Sequence, residues 1–386
     1  MRLTISRADL GDLMNRGGAS APKITTIPVL SNVRLAAVGS TLRASTTDLD
    51  LQADAVISAN VEAPGTVTVN ASSLKTIVDR LPSGAELTLF VEKNDLIVKA
   101  GRTRARLPML PADLFPSLDF DENGEAVSFS LSGSDLDRLF SRPSTAVAKD
   151  AARFYLEGVF LHVGGHAEPE LRAVGTNGHI MIVTGVDLPE GVEQIPGPNG
   201  GRGAIVPSAT VALALKLFRS EEEVGVTVSR SKIAFRGKAT TLISKLIDGT
   251  YPDHERVIPK VSSNRISLDR ASCTAALGIL EAFMTGDSGN KIECGPDDEG
   301  LAMAAGAAEG DGFAVAVADF AGKVPNFGVS SRYLRTMLAA FGSEIVTLSI
   351  EDPGSPVRVF AEKEPRTVGV VMPMRVTTSL LAAERR

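Results

Sequence analysis

VTVNASSLKTIVDRLP (residues 67–82) is an alternating apolar run, a cluster of small polar residues, and then about ten residues with apolar side chains at helical spacing. It reads as strand, N-cap, amphipathic helix. One such unit decides nothing, but this one recurs. AIVPSATVALALKLFR (204–219) and FGVSSRYLRTMLAAFG (327–342) have the same pattern when Val69, Val206 and Val329 are aligned. In each a Ser or Thr is expected at the N-cap, where its oxygen satisfies an otherwise unpaired helix N–H. Internal repetition sets the architecture before any single element does.

The flanks repeat as well. After the helices come ELTLFV (86–91), VGVTVS (224–229) and IVTLSI (345–350), each alternating like a half-buried strand. DLIVKAG (95–101), KIAFRG (232–237) and VRVFAE (357–362) form a second strand, and TRARLPML (103–110), TTLISKLI (240–247) and RTVGVVMPM (366–374) a third. MRLTISRADLGDLM (1–14), VSFSLSGSDLDRLF (127–140) and NRISLDRASCTAAL (264–277) open the copies as strand, turn and helix. The Ala/Gly-rich stretch 301–317 hides its strands, and IPGPNGGRG (195–203) reads as an inserted loop. The reading is an α+β chain of three similar domains, 1–122, 123–260 and 261–386. Each has two helices and about eight short antiparallel strands. Sheet edges left at the two ends of the chain need covering or pairing. Head-to-tail pairing with a second copy closes a ring.

Hydrophobic residues are 44% of the 386, enough for real cores, yet Trp is absent and aromatics are 5%, so Val, Leu, Ile and Ala must build them. A net charge of −6 argues against holding nucleic acid by bulk charge, but not against a basic surface on one face. Two cysteines, Cys273 and Cys294, form no metal or disulfide framework, which fits a reducing compartment. No signal-peptide core and no apolar run long enough to span a bilayer is present, so a cytoplasmic protein without a membrane is expected.

Catalytic signals are poor. His162 and His166 sit on a strand leading into a glycine turn, Asp48 and Asp50 in TTDLD read as a self-capping turn, and GPNGGRG leads into a strand rather than a helix. No catalytic residue, cofactor or metal is expected. Basic residues recur on the repeated helices: Lys75 and Arg80, Lys216 and Arg219, Arg332 and Arg335, joined by Arg7, Arg16, Arg138, Arg142, Lys149 and Arg270. Helices lining a hole would put such cations on phosphates without reading bases.

Several stretches, in order, resemble one known family: the bacterial sliding clamp, the β subunit of DNA polymerase III. They are IPVLSNVRL (27–35), TTDLDLQ (46–52), AGRTRARLPMLPADLFPSLD (100–119), RFYLEGVFL (153–161), VGTNGHIMIV (174–183), SKLIDGTYPDHERVIPK (244–260) and VVMPMR (370–375). The resemblance covers the whole chain. It implies a head-to-tail homodimeric ring of six domains around double-stranded DNA, held without sequence preference. The implied partners are DNA polymerase III, the clamp loader and other clamp-binding repair and replication proteins.

Carried over by motif, the implied peptide-binding pocket takes Leu156, Thr176, Gly178, His179, Ile180, Met181, Pro252, Arg256, Val257, Thr347, Val370, Met372, Pro373, Met374 and Arg375. Methionines there suit a surface that must fit several peptides. The implied DNA channel takes Lys75, Arg80, Arg138, Lys149, Lys216, Arg219, Arg332 and Arg335, and the dimer interface Arg104, Ala105, Phe283 and Met284. The chain departs from the family pattern at Asn177, Ile180, His254 and Ala105, and continues beyond Arg375 as VTTSLLAAERR. A more apolar groove, a weaker dimer and a tail folding back into the groove are the matching expectations. The competing reading is a repeat adaptor that binds peptides and never encircles DNA. A hydrolase using Asp48 and His179 comes third.

Overall fold

The computed structural model of the chain describes residues 1–22, 24–120, 126–165, 168–282, 284, 290–307, 310–376 and 381. Six α-helices lie among them: α1 (Arg7–Gly17), α2 (Ala71–Arg80), α3 (Gly133–Ser141), α4 (Ser208–Phe218), α5 (Arg270–Glu281) and α6 (Ser331–Ala339). Nine strands run between residues 2 and 110, eight between 127 and 245, and nine between 265 and 371. Two helices per copy and eight or nine strands in antiparallel ladders give the α+β architecture that the repeats predict.

The chain divides into two compact units, Met1–Asp137 with Pro189–Asp248, and Arg138–Leu188 with Gly249–Arg386. The first contains a sheet of thirteen strands, running from Val127–Leu131 at one end to Asn60–Ala63 at the other. Near its middle Thr240–Lys245 pairs with Leu51–Ser58, so strands far apart in sequence share one ladder. Leu10, Leu13 and Met14 of α1 and Leu74 and Val78 of α2 close the core with Leu3, Leu35, Leu89 and Val98. The second unit repeats the junction, with Thr367–Val371 pairing to Ile180–Asp187. Beyond it lie Val357–Phe360, Ile345–Ser349, Arg265–Asp269 and Ala318–Ala321. A separate four-stranded sheet is ordered Gly310–Ala316, Gly300–Ala307, Lys291–Asp297, Phe327–Ser330.

The caps correct one sequence expectation. Ser330 does cap α6, accepting from Tyr333 N, but α2 is capped by Asn70, accepting from Ser73 N, and α4 starts after Pro207 with no side-chain cap. Asparagine does the same chemistry as serine, and proline's fixed φ is compatible with a helix entry. The Ala/Gly-rich stretch resolves into a hairpin of Gly300–Ala307 and Gly310–Ala316. In Gly300–Ala307 alternation is invisible in sequence because both faces are covered. Leu301, Met303 and Ala305 enter the core, while Ala302 and Ala304 pack against Leu381.

Leu381 also corrects the expectation for the tail. It is buried, and its N–H donates to Glu293 Oε2 at 3.1 Å, so the described end of SLL (379–381) lies on this hairpin and not in the groove described below. Asp48 is the self-capping turn expected: its Oδ1 accepts from Asp50 N at 3.0 Å and Leu51 N at 2.7 Å. Among the described residues no group of three or more His, Cys, Asp or Glu could hold a metal ion. No described helix is long and apolar enough to cross a membrane.

Candidate functional site

The groove lies in the second unit and begins with the turn Thr176–His179. Thr176 Oγ1 donates to Ile180 O at 2.6 Å, and Asn177 Oδ1 accepts from His179 N at 2.8 Å and Ile180 N at 3.0 Å. Gly178 has φ +87°, a conformation that side-chain-bearing residues rarely adopt, so glycine is required for the turn to close. The turn starts Ile180–Asp187, which pairs with Thr367–Val371 in the register Ile180↔Val371 and Met181↔Val370. Met372 N extends this ladder by one bond, to His179 O at 2.8 Å.

A second wall comes from the segment around Tyr251. The Tyr251 ring stacks on Phe160 with centroids 4.6 Å apart, and its hydroxyl donates to Val174 O at 3.3 Å. Burial pushes the Tyr251 phenol well above its usual range. This anchor presents Pro252, Asp253, His254 and Val257 to the groove. His254 packs edge-on against His162, and burial first, then the neighbouring His254, holds the His162 imidazole down at about 4. His254 is lowered too, mainly by burial.

The enclosed volume is about 230 Å³. Ten of the fifteen residues expected in a pocket line it: Leu156, Thr176, Gly178, His179, Ile180, Met181, Pro252, Val257, Val370 and Met372. Ile180, Met181 and Val370 are buried, whereas Met372 and Val257 stand at the surface, 40% and 51% exposed. An apolar floor with an exposed methionine rim suits insertion of apolar side chains from an extended segment.

Five expected residues lie outside this lining. Thr347 sits on Ile345–Ser349, three strands across from Ile180–Asp187, about 14 Å away at normal strand spacing. Arg256 is held at the surface by Asp253, 2.7 Å away. After Pro373 the chain changes neighbours: Met374 N donates to Gly328 O at 2.8 Å, carrying Met374 and Arg375 into a different depression beside Phe327 and Pro353. Pro373 has no N–H to continue the ladder and lies between these two bonds. Asp253 and His254 line the groove although only their neighbours were expected to. Both lie inside YPDHERV, the motif that marked the segment.

Comparison with known proteins places this geometry. Residues 1–119 match the DNA polymerase III beta subunit, N-terminal domain, and residues 130–253 match its central domain. The beta sliding clamp of Caulobacter vibrioides is 32% identical over 97% of this chain and 100% of its own length. That of Pseudomonas aeruginosa is 31% identical, again over 97% and 100%. A crystal structure of the Caulobacter crescentus beta sliding clamp superposes with a TM-score of 0.91 at 31% identity, covering 97% of this chain and 99% of the other. A sliding clamp from Bartonella birtlesii bound to griselimycin has a TM-score of 0.90 at 28% identity, covering 97% and 100%.

The chain belongs to the DNA polymerase III β subunit family of bacterial sliding clamps. It is a non-catalytic, ring-shaped processivity factor that encircles duplex DNA and tethers DNA polymerase III and other clamp-binding proteins. The adaptor and hydrolase readings are not favoured.

Within this family member the basic residues divide by their partners. Arg7 Nε and Nη2 donate to Val78 O and Asp79 O, both at 3.0 Å, and Arg270 Nε donates to Ser343 O at 2.9 Å. These two arginines satisfy carbonyls in the last turn of α2 and beyond the end of α6. Arg16 pairs with Asp12, and Arg142 with Glu364 at 2.6 Å and Thr367 at 2.7 Å. Arg335 pairs with Glu281 at 2.7 Å. Lys75 pairs with Asp79 at 2.9 Å, and it lines one depression together with Lys216. Arg80, Arg138, Lys149, Lys216, Arg219 and Arg332 are exposed.

Of the expected interface residues, Arg104 is exposed and pairs with Glu92, and Ala105 packs partly against the core of the first unit. Met284 packs partly against the core of the second, its sulfur accepting from the Ser331 hydroxyl at 3.3 Å. Phe283 lies outside the described residues.

Proposed function

We propose that the groove around Ile180, Met181, Val370 and Met372 is where clamp-binding peptides of DNA polymerase III, the clamp loader and repair proteins dock. The carrying observation is the cluster of apolar side chains from four separate places in the chain, Leu156, 176–181, 252–257 and 370–372, on one cavity. No single segment has that surface. The buried floor makes burial of a peptide's apolar side chains favourable, by about 1–3 kcal/mol each.

DNA contact in this reading falls to Lys75, Arg80, Arg138, Lys149, Lys216, Arg219, Arg332 and Arg335, the last with its charge offset by Glu281. Each contact is weak and screened by salt, which suits sliding. The three domains run 1–122, 123–260 and 261–386, and the protein works in the cytoplasm.

The homodimer forms by strand pairing. Thr103–Leu110 is paired from Thr103 to Pro108 with Asp95–Ala100 on one side but meets Gly65–Asn70 only at Leu110 and Met109 on the other. Gly310–Ala316 ends its four-stranded sheet. Two such edges, one from each protomer, complete each other's hydrogen bonds.

The test is retention after loading. Rings loaded on nicked circular DNA stay bound and leave when the circle is linearised. Equal retention on both forms would exclude topological binding by this chain. A labelled clamp-binding peptide whose affinity is unchanged by Met372→Ala would remove the groove assignment alone.

A further inference from the structure

The fold contains a second cavity at the repeat-equivalent position in the first unit, and its chemistry is different. As the Tyr251 segment lies beside the junction of Ile180–Asp187 with Thr367–Val371, so residues 115–120 lie beside the junction of Leu51–Ser58 with Thr240–Lys245. The cavity there is about 560 Å³. Where the first groove is apolar, this one is lined by Arg34, Arg43 and Arg236, with Phe115, Phe120 and Asp119 on the covering segment, the Asp119 carboxylate accepting from Ser117 Oγ at 2.9 Å.

The sheet register sets the polar side chains in a row. Arg34 is opposite Ser45, Ser45 opposite Asp54, Asp54 opposite Thr241, and Thr241 opposite Arg236. Five adjacent strands are crossed, so the two end arginines are rooted about 19 Å apart at ordinary strand spacing. In the centre Asp54 is already satisfied: Ser45 Oγ donates to Oδ1, and Gln52 Nε2 to Oδ2 at 2.7 Å. Gln52 Oε1 in turn accepts from Leu118 N at 2.7 Å, tying the covering segment to the sheet. Asp54 is therefore committed within the sheet. Arg34 Nε is buried and has no hydrogen-bond partner among the described residues. Arg236 lies over the Phe120 ring, 5.6 Å from its centroid.

We infer that this cavity binds an acidic, extended peptide segment, with carboxylates toward Arg34 and Arg43 at one end and toward Arg236, which lies over Phe120, at the other, and apolar side chains along the covering segment 115–120. The span selects the ligand class. About six residues of extended chain cover the 19 Å between the roots of Arg34 and Arg236, so an extended chain is the ligand that follows the whole row. The site shares no residue with the apolar groove, so the two are measured independently.

The experiment uses the full chain and a fluorescein-labelled octapeptide with two acidic residues at each end and leucine and phenylalanine in the middle. Fluorescence polarization is expected to saturate. The octapeptide with amides in place of its acids is expected to bind about tenfold more weakly. Arg43→Gln, at an exposed position, should weaken binding about fivefold, and Arg34→Gln about tenfold. Met372→Ala in the groove and Arg80→Gln with Arg219→Gln on the helices should leave it unchanged. Hydrogen exchange on the unaltered chain should show protection by the octapeptide across 34–45 and 115–120, a readout that needs no variant to fold. Absence of saturable binding, equal loss in the Arg80/Arg219 variant, or protection elsewhere would overturn the proposal. Displacement of the octapeptide by equimolar ATP would overturn it in favour of a phosphate site.

Discussion

His162 and His254 meet edge to face with ring centroids 4.9 Å apart, and the Nε2 atom of each is buried without a hydrogen-bond partner among the described residues. Two imidazoles so placed cannot both charge at ordinary pH. Arg172 adds repulsion to each, while Glu255 favours the charged form of both and Asp253 that of His254, yet both stay lowered.

This pair makes stability depend on pH. The folded His162 value is about 4 against 6.5 unperturbed, so the unfolded chain binds the proton more readily. Stability is full above pH 6.5 and is lost as pH falls toward 4. At pH 5 the loss from His162 should be about 2 kcal/mol. Urea unfolding at pH 7 and pH 5 measures it. His162→Phe, which keeps the stack on Phe160, should flatten the dependence; an unchanged slope in that variant would contradict the assignment.

The groove distinguishes two methionines that stand two residues apart. Met372 lines it, and Met374 lines another depression. Met372→Ala should weaken a clamp-binding peptide by about 1–2 kcal/mol, roughly five- to thirtyfold, while Met374→Ala leaves it within about twofold. Fluorescence polarization with one labelled peptide compares them directly.

The arginines should separate by assay. Arg7→Ala removes two hydrogen bonds to carbonyls of α2 and should cost about 1–2 kcal/mol, read as a lower Tm, with retention on circular DNA unchanged. Arg80→Glu with Arg219→Glu should do the reverse: the same Tm, and earlier loss from nicked circles as salt rises. A Tm unaffected by Arg7→Ala would show that the capping bonds carry no stability.

The outer strand Gly310–Ala316 exposes Phe313, and Val317 and Ile279 are also exposed, 64% and 57%. Pairing that edge with a second protomer should cover Phe313. Light scattering is expected to give twice the 40.5 kDa chain mass at micromolar concentration, and Phe313→Glu should shift it toward one chain. Dimers untouched by that change would place the interface elsewhere.

Repetition made the architecture legible from sequence alone. The helices of VTVNASSLKTIVDRLP and its two counterparts are amphipathic, and periodicity is a local property that any window of residues displays. The turn at Thr176–His179 is equally local, since Asn177 and Gly178 close it with bonds between near neighbours, but it entered from the sequence only through the resemblance. The first strand of the Ala/Gly hairpin, Gly300–Ala307, was hidden because burial on both faces removes the alternation that marks a strand. Which cations face outward was hidden too. Arg7 and Arg80 look alike in sequence, but only a folded chain brings Val78 O and Asp79 O to Arg7. The same holds for the site. The motif around Met372, Pro373 and Met374 is visible in one glance, but its partition between two depressions depends on His179 O and Gly328 O, which are distant in sequence. The row from Arg34 to Arg236 has no sequence signature at all. Its members lie on five strands, and only the ladder register, set by hydrogen bonds between segments as far apart as residues 54 and 241, puts them side by side.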